Sequence, residues 1–128
     1  MTRKSFVGAC AAALMLAMPP ATSLFAADAK PKTVIHVISI KWKADATPAQ
    51  IDKAIQGAEA LPSEYPGIVR VWTKPIKKQL PEGYGHVIVM EFASEDALKK
   101  YADSPAQKKW YEAYMAIREE SRTSDITN

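Results

Sequence analysis

The stretch that most constrains the fold runs from Gly83 to Phe92 (GYGHVIVMEF) and leads directly into Ser94-Glu95-Asp96. Large apolar residues alternate in it with period two, which is typical of a β-strand, and a serine followed by acids is typical of a capped helix start. The alternation sorts the side chains onto two faces, one with Tyr84, His86, Ile88, Met90 and Phe92, the other with Val87, Val89 and Glu91. Because both faces are apolar, we predict a strand covered on both sides.

The rest of the chain supplies neighbours for this strand. Period-two patterns predict further strands at 33–43 and 68–73 and a weak last strand at 121–128. Thr47-Pro48 predicts a helix start and Pro62 its end, while Ser94 and Ser104-Pro105 begin a second helix in two parts. The order βαββαβ predicts an α+β, ferredoxin-like domain with an antiparallel sheet whose first and third strands are central.

Helices can cover only one face of such a sheet. The face predicted to remain open carries Ile35, Val37, Val87 and Val89. An apolar surface of that size on a monomer marks an interaction site, and a second copy related by a two-fold axis is the simplest cover. We therefore predict a homodimer, packed sheet against sheet as a dimeric α/β barrel.

The pattern of the first residues is typical of a targeting segment. Arg3 and Lys4 precede an uncharged run rich in alanine and leucine, and Leu24-Phe25-Ala26 offers a cleavage site. We predict a signal peptide at 1–26, a polar lead-in at 27–32 and the folded domain at 33–128, with export to the periplasm. A membrane anchor is the alternative, but the apolar run is short for a span of about 20 residues.

Composition excludes several classes of function. Removing Arg3 and Lys4 from the 17 basic residues leaves 15 against 14 acidic ones, so no cationic surface for nucleic acid is expected, and no membrane association after cleavage. Cys10, the one cysteine, would leave with the signal. The mature chain would then lack disulfides, thiolate catalysis and thiolate metal sites.

Several segments in register resemble the stress-responsive dimeric A/B barrel, or Dabb, family. They are the strand at 34–43, Tyr65-Pro66-Gly67, 82–86, 92–98 with Tyr101, Ser104-Pro105-Ala106, and Asp125-Ile126-Thr127. The resemblance covers roughly Thr33 to Thr127 and implies a homodimer of ferredoxin-like subunits.

The resemblance also implies a pocket between sheet and helices, since one plant member of the family is a polyketide cyclase with its site there. The histidine base of that enzyme lies in a His-Pro-Ala-His run, which here is Ser104-Pro105-Ala106-Gln107. Glutamine takes no proton near neutral pH, so cyclase activity of that type is not expected. The matching tyrosine is Tyr101, and the strand histidines match as His36 and His86.

His36, His86 and Tyr101 are the candidate catalytic residues. Alternation, the helical stripe and the family match together predict a pocket lined by His36, Ile38, Ile40, His86, Ile88, Tyr101, Gln107 and Trp110. The two histidines are either an acid–base pair or hydrogen-bonded core residues, and the aromatic side chains Tyr101, Trp110 and Tyr114 either line a pocket or pack as core. Two histidines with no carboxylate on their face fall short of a metal ligand set, so neither metal nor cofactor is expected.

Three functions remain open. The first is an exported barrel that binds a small apolar or aromatic molecule, or acts in stress protection, without turnover. The second is a cofactor-free enzyme, cyclase-like or oxygenase-like, acting on an aromatic or polyketide-like substrate. In the third, a purely structural reading, the protein's own side chains fill the pocket.

Overall fold

A computed structural model describes residues 32–74, 76–78 and 80–127. The predicted signal peptide at 1–26 and nearly all of the lead-in lie outside the described residues. The elements follow in the order β1 (Val34–Trp42), α1 (Pro48–Glu64), β2 (Ile68–Trp72), β3 (His86–Phe92), α2 (Glu95–Tyr101), α3 (Pro105–Ile117) and β4 (Arg118–Thr127). A short 3-10 turn at Pro81–Gly83 precedes β3. The predicted βαββαβ order is confirmed.

The four strands form one antiparallel sheet in the order β2-β3-β1-β4. The first and third strands are central, as predicted. Val37 pairs with Val89 and Ile38 with Ile88, so the apolar faces of β1 and β3 coincide. On the other side of β1, His36 lies opposite Asp125.

The helices cover one face of the sheet, with α1 packed on β2 and α3, and α2 on β3. All three begin as the sequence predicts, with side-chain caps by Thr47, Ser94 and Ser104. The centre of the core is solid and apolar, and it includes Ile40, Ala54, Ala58, Leu61, Ile88, Met90 and Phe92, each with no exposed surface. No helix of the described residues is long and apolar enough to cross a membrane.

Pro62 does not end α1, which continues to Glu64. Proline lacks an N–H donor and its ring crowds the preceding turn, but the amide of Tyr65 still donates to the Leu61 carbonyl at 2.8 Å. The last turn of α1 therefore keeps its final hydrogen bond although it contains a proline.

Two strand predictions also need correction. β3 begins at His86, so the alternation does not extend back to Tyr84. Tyr84 is buried against the face away from the helices, with the guanidinium of Arg122 4.6 Å from its ring centre. β4 follows α3 directly and spans ten residues, because ladder pairing to β1 stabilises a segment whose side chains are mostly polar.

The face away from the helices is the open face. Ile35, Val37, Val87 and Val89 form its half-buried centre, as predicted. Trp72 and Ile126 extend it and are 43% and 59% exposed. The register places both on this face, since Trp72 pairs with Val89 and Ile126 with Ile35.

Candidate functional site

A cavity of about 380 Å³ lies between the β1–β4 side of the sheet and helices α2 and α3. It exists because the helices contact the sheet mainly through β2 and β3, which leaves the inner face of β4 uncovered. The lining residues are His36, Ile38, Leu98, Lys99, Tyr101, Ala102, Gln107, Trp110, Tyr111, Tyr114, Met115, Arg118, Ser121, Thr123 and Asp125. A volume of this size lies within the range of small-molecule sites.

The structure brings five of the eight predicted pocket residues to this cavity, namely His36, Ile38, Tyr101, Gln107 and Trp110. Ile40 and Ile88 are not among its lining and are fully buried in the core. They share the predicted face but belong to the same buried apolar cluster as Ala54 and Ala58 of α1. His86 is also absent from the cavity lining; it is the first residue of β3 and pairs with Ile40.

His36 forms a pair with Asp125 across the β1–β4 ladder, with its Nδ1 2.5 Å from the carboxylate Oδ1. The prediction that no carboxylate lies near the histidines is therefore wrong. With its proton on Nδ1 donated to Asp125, the neutral imidazole keeps a lone pair on Nε2. The ring also packs edge-on against Phe92, which holds its orientation.

His86 serves a different purpose. Trp42 Nε1–H donates to His86 Nδ1 at 2.7 Å, so this nitrogen must be unprotonated. Burial lowers the pKa of His86, in agreement with a neutral ring. His86 pairs with Ile40 and so lies four residues along the sheet from His36, about 13 Å at the rise of a strand. The two histidines do not form an acid–base pair.

An aromatic wall closes the helical side of the cavity. Trp110 stacks on Tyr114 with ring centres 4.5 Å apart and planes 17° from parallel, and Tyr111 packs beside both. Trp110 is also anchored by donating from Nε1 to the Ala54 carbonyl at 2.9 Å. These side chains therefore pack in the core and also line the cavity.

The hydroxyls of Tyr101 and Tyr114 are buried and have no hydrogen-bond partner. Ser121 lies beside the Tyr114 hydroxyl, but the contact does not meet hydrogen-bond geometry. Burial raises the pKa of both tyrosines, so both hydroxyls keep their protons at neutral pH. They remain available as donors to a molecule in the cavity.

Arg118 marks the end of the cavity where α3 passes into β4. Its guanidinium carbon lies 5.9 Å from the ring centre of Tyr114, and Nη1 donates to the Ser121 hydroxyl at 2.9 Å. Its Nε is buried and has no partner. Lys99 contributes a second positive charge to the lining.

Gln107 is held by its own surroundings. Its Oε1 accepts from the amide of Asp103 at 2.7 Å, and its Nε2 donates weakly to the Tyr111 hydroxyl at 3.4 Å. Asp103 has a positive φ of 62°, so this hydrogen bond supports the turn between α2 and α3. Gln107 lines the cavity chiefly as a structural residue. Among the described residues no cluster of three or more metal-ligating side chains occurs.

The family model described as "Stress responsive A/B Barrel Domain" matches residues 34–128. The chain belongs to this family. Among curated proteins, none matches it by sequence.

Solved structures show the same fold at low sequence identity. A dimeric ferredoxin-like protein of unknown function from Thermobifida fusca is 16% identical, with a TM-score of 0.66 over 77% of this chain and 93% of that one. A hydroxynitrile lyase from Passiflora edulis is 17% identical, with a TM-score of 0.69 over 77% and 94%. SnoaB, a cofactor-independent oxygenase from Streptomyces nogalater, is 16% identical, with a TM-score of 0.54 over 76% and 91%.

Sequence reasoning missed the contribution of β4 to the site of this A/B barrel chain. Ser121, Thr123 and Asp125 alternate along the strand and face the cavity, and Arg118 precedes them. These residues alternate with period two, but few apolar residues accompany them, so the pattern did not indicate which face of β4 is inward.

Proposed function

We propose that the protein binds a small aromatic or apolar molecule in the cavity between β4 and helices α2 and α3. The observation that carries this proposal is the combination of an aromatic wall with buried hydroxyls that have no partner. Native proteins rarely leave such groups unsatisfied, and a ligand is one way to satisfy them. The role is that of a binding protein in stress protection, as the family description suggests.

Blocking the cavity tests this proposal. Thr123 lines the cavity but is exposed, so Thr123→Trp fills the space at little cost in stability. Calorimetric titration with 2-naphthoate and 2-naphthamide should show binding to the wild type and none to Thr123→Trp. Ala49→Trp, which adds the same ring at an exposed helix position away from the cavity, should bind as the wild type does. Unchanged affinity in Thr123→Trp would place the site elsewhere.

The pair formed by His36 and Asp125 favours a second function, a cofactor-free enzyme that moves a proton. Asp125 fixes the tautomer and ring orientation, and Nε2 is left as the acceptor, the arrangement general bases use. Two similar structures are named as enzymes, a hydroxynitrile lyase and a cofactor-independent oxygenase.

A carbon acid tests this second function directly. Deuterium exchange at the methyl group of 2-acetylnaphthalene in D₂O, followed by NMR, should be accelerated by the wild type. His36→Gln and Asp125→Asn should each abolish the acceleration, while calorimetric titration should still show binding of 2-naphthamide to both variants. No exchange above the buffer rate would leave binding without turnover.

We further propose that the open face joins two copies in a homodimer. Its half-buried valines and the exposed Trp72 and Ile126 form an apolar surface, and the similar Thermobifida fusca protein is described as dimeric. Val87→Asp would bury an unpaired carboxylate in the contact, at a cost of several kcal/mol. Sedimentation should then show a monomer or an unfolded chain, whereas Ala49→Asp should stay dimeric. A monomeric wild type contradicts the proposal.

For residues 1–26 we propose removal during export to the periplasm, supported by the basic, apolar and small-residue order of that segment. Mass spectrometry of exported protein should find Ala27 at the N-terminus. Retention of Met1 in exported material contradicts cleavage.

A further inference from the structure

We infer that the ligand of the cavity is an aromatic anion, and that Arg118 is the residue that recognises its carboxylate or other oxyanion. This inference rests on the proposed binding function and names its ligand class. It follows from two hydrogen-bond donors without a partner, Nε of Arg118 and the Tyr114 hydroxyl, at the end of the cavity where α3 passes into β4.

Only some of the hydrogen-bond donors of the Arg118 guanidinium have an acceptor. Nη1 donates to Ser121, which fixes the plane of the group. Nε is buried without a partner, and Nη2 has none among the described residues. Nε and Nη2 form one edge of the guanidinium, with two parallel N–H donors at the spacing of a carboxylate. A buried N–H without an acceptor, such as that of Nε, is costly, and an oxyanion in the cavity would satisfy it.

The hydroxyls of Tyr101 and Tyr114 supply further donors. Each of these residues is only 3% exposed, both line the same cavity, and neither hydroxyl has a partner. Tyr114 lies directly beside Arg118, because the guanidinium stands over its ring. Tyr101 lies nearer to His36, since its ring packs on Phe92 and Phe92 packs on His36. The Tyr114 hydroxyl and the guanidinium edge can both donate to the oxygens of an anion.

Charge along β4 orients the ligand. Arg118 lies at the first residue of the strand and Asp125 near its last, and alternate side chains between them face the cavity. Ser121 and Asp125 alone are about 13 Å apart at the rise of a strand. The carboxylate that would repel an anion is thus at the far end, where it is paired with His36. Lys99 adds positive charge to the lining.

The aromatic body of the ligand then lies against Trp110, Tyr111 and Tyr114, between the two ends. Its oxyanion meets Arg118, and its opposite edge points towards the His36 end of the cavity. A neutral molecule of the same shape would leave the guanidinium edge unpaired, so the cavity should prefer the anion.

A matched pair of probes tests the inference. We expect calorimetric titration at about pH 7.5 to show that 2-naphthoate binds at least about tenfold more tightly than 2-naphthamide, as for a hydrogen bond to a charged group. Arg118→Gln should remove this preference, while its affinity for the amide stays within about twofold. Arg118→Lys keeps the charge without the planar edge and should fall between the two.

Lys108→Gln is the matched control, since it removes one positive charge from an exposed position of α3 that does not line the cavity. It should keep the full preference. Circular dichroism checks that Arg118→Gln is folded. If it is not, the preference of the wild type for 2-naphthoate over 2-naphthamide still tests the inference. Equal affinity for both probes, or an unchanged preference in folded Arg118→Gln, overturns the anion inference and leaves the binding function intact. Binding of neither probe overturns both.

Discussion

Gly57 lets α1 approach α3, and replacing it tests how rigidly Trp110 is held. A Cβ built at Gly57 would lie 3.0 Å from Cδ1 and 3.8 Å from Nε1 of Trp110. Carbon atoms normally approach to about 3.5–4.0 Å, so the ring or the helix must move by a few tenths of an ångström. The ring cannot do so freely, because Nε1 is bonded to the Ala54 carbonyl and the indole stacks on Tyr114.

Two opposing energies decide the sign of Gly57→Ala. Alanine favours the helix over glycine by about 1 kcal/mol. Overpacking a well-ordered core costs about 1–3 kcal/mol. Since Trp110 is only 4% exposed and is held on two sides, we take the middle of that range and expect a net loss near 1 kcal/mol. For a domain of this size that lowers Tm by about 4–8 °C.

Urea unfolding followed by circular dichroism measures this change, with Gln56 as the internal reference. Gln56 is the exposed neighbour of Gly57, so the difference between Gln56→Ala and Gln56→Gly reports local helix propensity without the contact to Trp110. The change in the free energy of unfolding on Gly57→Ala should be less favourable than the Gln56 difference, by the cost of overpacking. A gain of about 1 kcal/mol from Gly57→Ala would refute the view that α3 is fixed against α1 by this ring.

Three further results are expected. Ile88→Ala should cost about 2–5 kcal/mol in urea unfolding, because Ile88 is fully buried in the solid core, and a smaller loss would mean that it borders a void. Burial lowers the pKa of His86 below its ordinary 6.5, so the unfolded chain binds more protons; stability should be full above pH 6.5 and fall as the pH drops below it. His86→Gln should make that fall shallower, and an unchanged pH profile would contradict the assignment. Thr47→Ala should cost about 1 kcal/mol of stability through loss of the α1 cap, and Ser63→Ala, a hydroxyl bonded only within the last turn, should cost less.

Local signals predicted the helix starts and the central strands, although Pro62 did not end α1. Thr47-Pro48 and Ser104-Pro105 start helices because a side-chain cap and a proline act within one turn. Period two located β1 and β3 and separated their two faces, since strand geometry sets that alternation directly. The alternation assigned Tyr84 to the wrong face of the sheet. This residue precedes β3, so the turn before the strand sets the direction of its side chain.

The cavity depended on relations that no local pattern contains. Ile38 and Ile88 share a face and pair directly, yet only Ile38 borders the cavity, because the helices pack on the β2 and β3 side of the sheet and leave the inner face of β4 uncovered. His36 and Asp125 are 89 residues apart and meet only through the register of β4 on β1. The sequence by itself determined the order of elements, their caps and their two faces, because these depend on neighbours along the chain. Only the tertiary structure decided which of those faces encloses a site, because that depends on how far each helix reaches across the sheet.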